Sequence, residues 1–267
     1  MSKSHVPGKV YLVGAGPGAA DLITVRGAKL LAQADIVFHD ALVNLAMLDL
    51  CPKAIKEPVG KRCGKLSSAQ HFINKRLIDA ALKYQIIVRL KGGDPMMFGR
   101  ADEEIQALKN HQIEVEVVPG ITAALAGAAS LQQSLTLRGV SRSIAFVTLA
   151  QGTENLNPAE SQGQPISNPQ ADTLVYYMGR KDAANIAKRL IVQSPNQRAD
   201  TPVHILEAVS TKHERHWSST LGELANGKAN AWFDSTAPAL IMVGNALKKT
   251  LSSEDLIPEE QIQLKAG

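Results

Sequence analysis

A chain of 267 residues is long enough to bury a full core in one large domain or two modest ones. Its 45% apolar and 20% charged residues are ordinary globular values, and no run of about 18 uncharged apolar residues is present to cross a bilayer. The net charge of +4 comes without a continuous basic run and with only 4% aromatic residues, which disfavours a nucleic-acid surface and points to a small anionic ligand.

In chain order, Val10–Val13, Ile36–His39, Ile86–Leu90 and Val115–Val118 read as buried strands. Helical patterns over Thr24–Gln33, Ser67–Tyr84 and Ala101–His111 separate them, with Asp21 and Ser67 or Ser68 as N-caps of the first two. The alternating charges of Ala101 to Lys109 read as a solvated helix face. Strands alternating with helices imply a mostly parallel sheet covered on both faces. An Ala-rich helix over Thr122–Ser130 marks a junction, and the boundary is expected near residue 137, giving α/β units over 1–137 and 138–267. The second unit has strands at Ser143–Thr148, Thr173–Tyr177, Val203–Leu206 and Ala239–Val243, a helix at Ala183–Ile191, and a mobile loop over Gln151–Gln170.

Residues 1–9 hold no apolar stretch of the kind a secretory leader needs. Cys51 and Cys63 are too few for a disulfide framework and lack metal-ligand spacing. The chain therefore reads as cytoplasmic. His213 and His216 flank Glu214 but lack a third ligand pattern and fall in an expected exposed turn, so no metal is expected.

Three glycine turns carry the chemistry. Val13-Gly-Ala-Gly-Pro-Gly-Ala19 follows a strand and precedes a helix, and Gly14, Gly16 and Ala19 fit the loose dinucleotide fingerprint. Pro17 removes an N–H that could bind phosphate, so a nicotinamide site and a plain tight turn both stay open. Arg89-Leu-Lys-Gly-Gly-Asp-Pro-Met-Met-Phe-Gly-Arg100 puts a glycine pair and a fixed acid at a strand's carboxyl end, the pattern of a ligand loop. In Val117-Val-Pro-Gly-Ile-Thr-Ala123, Thr122 is either a helix cap or a ligand contact. Together they suggest one cleft at the carboxyl edge of a sheet.

In this order and spacing, with Asp40-Ala-Leu-Val43, Val59-Gly-Lys-Arg62, Thr136-Leu-Arg138, Tyr177-Met178 and Ala237-Pro-Ala-Leu-Ile241, these motifs resemble the tetrapyrrole methylase family from residue 9 to about 245. The resemblance implies a homodimeric enzyme of two α/β domains with a methyl-donor cleft between them, using S-adenosylmethionine and releasing S-adenosylhomocysteine. It places Pro17, Gly92, Gly93, Asp94, Met97, Thr122, Ala123, Met178, Val209 and Ala239 at the methyl donor. It makes Asp40 the proton acceptor and Lys61 the proton donor. The Asp-x-Leu-Val pattern at Asp40 points to the branch that methylates uroporphyrinogen III at two ring carbons to give precorrin-2. Attack by an electron-rich pyrrole carbon on a methyl sulfonium is a positioning task, and the cationic ring that results must lose a proton to a placed carboxylate. For Asp40 the residues alone also allow a helix cap over 41–48. Arg62, Arg100 and Arg138 are the candidates for the substrate's eight carboxylates, each equally readable as a surface charge.

Five departures from the family pattern stand out: His39 for tyrosine, Leu137 for histidine, Gln132-Gln133-Ser134 for Gly-Ile-Pro, Leu149-Ala150 for Gly-His, and Val209 for a glycine of the donor site. A valine fits there only with an ordinary φ. Three other readings stay open: a sister enzyme acting on a later precorrin, an NAD-dependent oxidoreductase, and a binding module without turnover. No fused dehydrogenase or chelatase segment is seen, so later steps are expected of other proteins.

Overall fold

The computed structural model describes residues 6–59, 66–149 and 169–248. Lys61, Arg62 and nearly all of the expected mobile loop therefore lie outside the described residues. The first sheet comprises β1 (Lys9–Gly14), β2 (Ile36–His39), β3 (Ile55–Pro58), β4 (Ile86–Lys91) and β5 (Val115–Val118). All are parallel, in the order β3-β2-β4-β1-β5. Helices α1 (Val25–Gln33), α2 (Leu66–Ala81) and α3 (Ala101–Asn110) cover it. On one face Val10, Leu12, Phe38 and Ile87 meet Leu77 and Leu108; on the other Val13, Val37, Val88 and Leu90 meet Leu31 and Met47. Each fully buried side chain of this kind stabilises by about 1.5–3 kcal/mol.

The second sheet holds β6 (Ile144–Thr148), β7 (Thr173–Tyr177), β8 (Pro202–Glu207), β9 (Arg215–Thr220) and β10 (Ala239–Gly244) in the order β6-β7-β10-β8-β9. Only the β6–β7 pair is parallel. Period-two alternation sorts its faces: Leu174, Tyr176, Val203, Ile205, Ile241 and Val243 point toward α5 (Ala183–Gln193) and α6 (Leu221–Ala225). Val175, Leu206, Leu240 and Met242 point toward α4 (Ala123–Leu131), whose Gly127 leaves room for Met242 and Leu206. The Ala-rich helix therefore shares the second sheet's core, because its small side chains let its backbone lie close to the strands.

Several local expectations are corrected. Thr24, not Asp21, caps α1, its hydroxyl accepting from Gly27 N at 3.1 Å, while Asp21 sits in a 3-10 turn, Ala20–Leu22. Ser67 and Ser68 lie inside α2, which starts at Leu66. Strands β5 and β6 are half-buried rather than buried, because each lies at a sheet edge. Glu104 on the expected solvated face of α3 is 0% exposed. β3, β9 and α6 were not anticipated; the lysine- and glutamate-bearing Ile55–Pro58 and the polar Arg215–Thr220 lack an apolar run because both are edge strands.

His216, expected in a turn, lies in β9 with its ring stacked on buried His204 at 5.2 Å. His204 Nε2 faces Leu247 O at 2.8 Å, so it carries the proton, and Nδ1 accepts from His216 or Ser218. Burial, with mutual repulsion as a lesser cause for His204, holds both imidazoles below 6.5. A depressed histidine value means that the unfolded chain binds protons first as pH falls. The stability from this pair is present above pH 6.5 and lost as pH falls through the folded values. Thermal unfolding at pH 7.5 and 5.0 should show a smaller acid-induced loss in His204→Gln than in wild type.

Candidate functional site

The carboxyl ends of β1, β4 and β5 meet backbone to backbone. Gly16 and Gly93 form a two-bond bridge, with Gly93 N to Gly16 O at 2.7 Å and Gly16 N to Gly93 O at 3.1 Å. A Cβ on Gly120 would lie 2.3 Å from Gly93 O, and one on Gly14 would lie 2.6 Å from Gly120. Asp94 staples the turns: its carboxylate accepts from Gly120 N and from Met96 N, both at 2.8 Å. Any ligand contact by Asp94 would thus compete with two backbone donors. Gly93 itself has φ +68, and a Cβ there would meet nothing within 4 Å. Its conformation calls for glycine, and its outer side opens to space.

This packing also removes the dinucleotide reading. Ala15 N donates to Lys91 O at 2.7 Å and Gly16 N to Gly93 O, while Pro17 has no N–H. Three successive positions of the fingerprint have no donor left for a pyrophosphate.

The second lobe closes over the same edge. Thr122 stands at the N-cap position of α4 but makes no cap bond; its hydroxyl lies 2.6 Å from Tyr177 OH, which also accepts from Ala124 N at 3.2 Å. Burial raises the Tyr177 phenol above its ordinary value. The Phe98 ring from the second turn reaches Tyr177 at 5.1 Å. Beneath the first turn, a Cβ on Gly18 would come within 2.8 Å of Val209 O, and Ala19 N donates to Ser210 Oγ at 3.1 Å. Asn44 Nδ2 donates to Gly18 O at 2.9 Å and ties in the loop after β2. Val209 is buried in the α4 core, and the left-handed backbone falls on its neighbours, Ala208 at φ 50 and Ser210 at φ 61. That is how a valine occupies the expected glycine position. Phe98, Arg100 and Met178 share such strained values, at φ 52, 55 and 57.

Pro17, Gly92, Gly93, Asp94, Met97, Thr122 and Ala123 follow the carboxyl ends of β1, β4 and β5, and Met178, Val209 and Ala239 lie at the ends of β7, β8 and β10. Ala239 pairs with Glu207, and Leu240 with Tyr177, at the same end of the second sheet. Asp40 joins them: its N–H bonds Leu90 O at 3.2 Å, and the neighbouring Leu42 Cβ would lie 3.3 Å from a Cβ on Gly92. Its carboxylate caps no helix. Asn44 caps the 3-10 turn Leu45–Leu50, whereas Asp40 Oδ1 accepts from Arg89 Nη2 at 2.5 Å. His39 directs Nδ1 at the Asp40 carbonyl, 3.4 Å away, and not at the carboxylate.

Arg100 and Arg138, the two candidate arginines among the described residues, are not brought together. Arg100 forms a two-point pair with Glu103, at 2.6 and 2.8 Å. Arg138 lies in the Leu137–Ser141 turn, and the β6–β7 register places it at the opposite end of the second sheet from Met178. Arg62 and Lys61 fall outside the described residues.

Sequence reasoning passed over Arg89, Lys91 and Glu104. The helix-facing side of β4 runs from Ile87 to Arg89 and Lys91, both 2% exposed, and Glu104 of α3 accepts from Arg89 Nε at 3.1 Å and Lys91 Nζ at 2.8 Å. Burial works against the Arg89 charge, yet Glu104 and Asp40 outweigh it and hold its pKa above the ordinary value. Burial, then repulsion by Arg89, draw Lys91 below its own. Two basic residues within an apolar strand were the available signal.

Residues 9–225 match the tetrapyrrole (corrin/porphyrin) methylases. The chain belongs to that family. It is 42% identical over 243 residues to the uroporphyrinogen-III C-methyltransferase of Methanocaldococcus jannaschii, covering 90% of this chain and 97% of that one. It is 41% identical over 246 residues to the siroheme synthase of Pseudomonas fluorescens, with 91% of this chain aligned to 51% of that protein; the chain thus spans about half the length of the siroheme synthases. The uroporphyrin-III C-methyltransferase of Thermus thermophilus, solved with S-adenosylhomocysteine, superposes with a TM-score of 0.73 at 36% identity, covering 90% of this chain and 94% of that one.

Gly120→Ala should cost about 1–3 kcal/mol in urea unfolding, since its Cβ would overlap the Gly93 carbonyl. Gly93→Ala has room and should cost only the left-handed penalty, about 1–2 kcal/mol.

Proposed function

We propose that this chain transfers methyl groups from S-adenosylmethionine to two ring carbons of uroporphyrinogen III, giving precorrin-2 and two S-adenosylhomocysteines. The observation that carries this reading is the partly exposed Asp40 carboxylate at the carboxyl end of β2, whose neighbour β4 leads into the turn at Gly93, which is open to space. Its support is the likeness to proteins bearing that activity's name over nearly the whole chain.

The donor's fit to the turns at the sheet's carboxyl edge rests on Gly93. Gly93 opens to space at φ +68, so a ligand could approach the main chain there without meeting a side chain. When bound, the donor supplies an electrophilic methyl group. The chain's own task is to hold the reacting carbon in line with that methyl while the inter-lobe contacts Thr122–Tyr177 and Ala19–Ser210 limit access of water. The side chain of Asp40 is 31% exposed, open enough to receive the proton that the methylated, cationic macrocycle releases. Its charge also stabilises that cation as it develops. We assign Lys61 as the proton donor, and Arg62 and Arg100 to substrate carboxylates. Arg138 could reach the substrate only from a second copy of the chain. The protein is read as a homodimer, in keeping with the exposed Leu125, Leu137 and Val140, 46–54% exposed; light scattering should give about twice 28.6 kDa.

Labelled donor mixed with uroporphyrinogen III should deliver two methyl groups per macrocycle with a change of chromophore. Absence of transfer, or transfer only to a later precorrin, would overturn the reading. Asp40→Asn should lower kcat by about 10²–10⁴-fold while S-adenosylhomocysteine still binds by calorimetry.

A further inference from the structure

We propose that Arg89 is a positioning residue for methyl transfer, holding Asp40 in the orientation from which it takes the substrate's proton. The inference rests on the reading of Asp40 as proton acceptor. In that step a C–H bond of the methylated macrocycle breaks, its proton goes to a carboxylate oxygen, and its electron pair stays in the ring and cancels the positive charge.

Asp40, Arg89, Glu104 and Lys91 form a charge-balanced quartet in which Asp40 alone is substantially exposed, its side chain 31% open against 3% or less for the others. Every arm of the guanidinium is fixed. Nε donates to Glu104, Nη1 to Leu90 O at 3.2 Å and Nη2 to Asp40 Oδ1. Glu104 is locked in turn by Lys91 and by Gln70 Nε2 at 3.3 Å. A buried ion set of this kind is on average no more stabilising than apolar residues of equal volume, and Ile87 shows that the same strand face accepts an apolar residue. What the quartet supplies is a rigid mount. Arg89 reaches two carboxylates in different directions, which a lysine's single ammonium cannot do.

The test is Arg89→Lys, which keeps the buried charge and removes the fork. The expected result is a fall in kcat of about 10- to 100-fold, the scale of a small misplacement of a reacting group, with the KM for uroporphyrinogen III and the affinity for S-adenosylhomocysteine unchanged. Placed in the Asp40→Asn background and followed by labelled methyl incorporation, Arg89→Lys should cause no further loss, because it acts through Asp40. An equal fold-loss in both backgrounds, or a kcat within twofold of wild type, overturns the positioning role and leaves Asp40 standing. Near-normal turnover by Asp40→Asn alone overturns the reading of Asp40 and this proposal with it. If Arg89→Lys loses donor binding, the double variant Arg89→Met/Glu104→Gln carries the test, since it removes one buried charge of each sign. The same kcat loss at constant KM is expected. A wild-type kcat, or loss of donor binding there too, overturns the proposal.

Discussion

The close approach of the Gly93 carbonyl to Gly16 and Gly120 governs this molecule. Three turns leave the sheet at adjacent strands, and side chains at the contact points would push them apart. Because the gap is filled by main chain, the turns are fixed by hydrogen bonds and by the Asp94 carboxylate, whose geometry tolerates little drift. The sequence economy is specific. Gly14 and Gly120 are glycines for want of space, Gly93 for its backbone angle. The outward result is a rim of fixed backbone, against which the second lobe is set by Thr122, Tyr177 and Phe98.

Backbone strain falls on both lobes, at Phe98 and Arg100 in the first and on the strand ends of the second. Met178 holds a left-handed angle at the end of β7, and Ala208 and Ser210 hold such angles after β8, where Ser210 meets the first turn. Glu214 restrains the segment after β8, accepting from Ser210 N and from Ser130 Oγ of α4, which ties the Ser210 conformation to that helix. The helix is thus more than a connector. It is tied to the segment after β8 through Glu214, while its first turn takes part in the Tyr177 contact.

Most of the first sheet was legible because parallel strands buried on both faces read as apolar runs, and β1, β2 and β4 are such strands. The edges were not: β3 and β9 carry charge and polarity on exposed positions. The glycine turns were legible as a set, since their spacing carries the information. Two things were out of reach. The quartet depends on Glu104 being turned inward, and local charge alternation along α3 gives no hint of that; only the basic residues of β4 create the need for a buried acid. The place of Arg138 depends on the direction of β6, which no local pattern sets.

That placement bears on how a polyanion would be recognised. Composition suggested cations waiting for an anionic ligand, yet Arg100 already holds Glu103 through two oxygens. A substrate carboxylate arriving there must exchange with a protein carboxylate. The pair is about two-fifths exposed, its side chains at 37% and 48%, and an exposed pair of this kind is worth about 0–1 kcal/mol. Giving up the Glu103 contact is therefore cheap, whereas the same exchange at Arg89, buried and gripped from three sides, would leave an uncompensated charge in the core. On the proposed reading the chain separates its cations by depth: the buried arginine orients an internal acid, and the shallow one meets carboxylates at the surface.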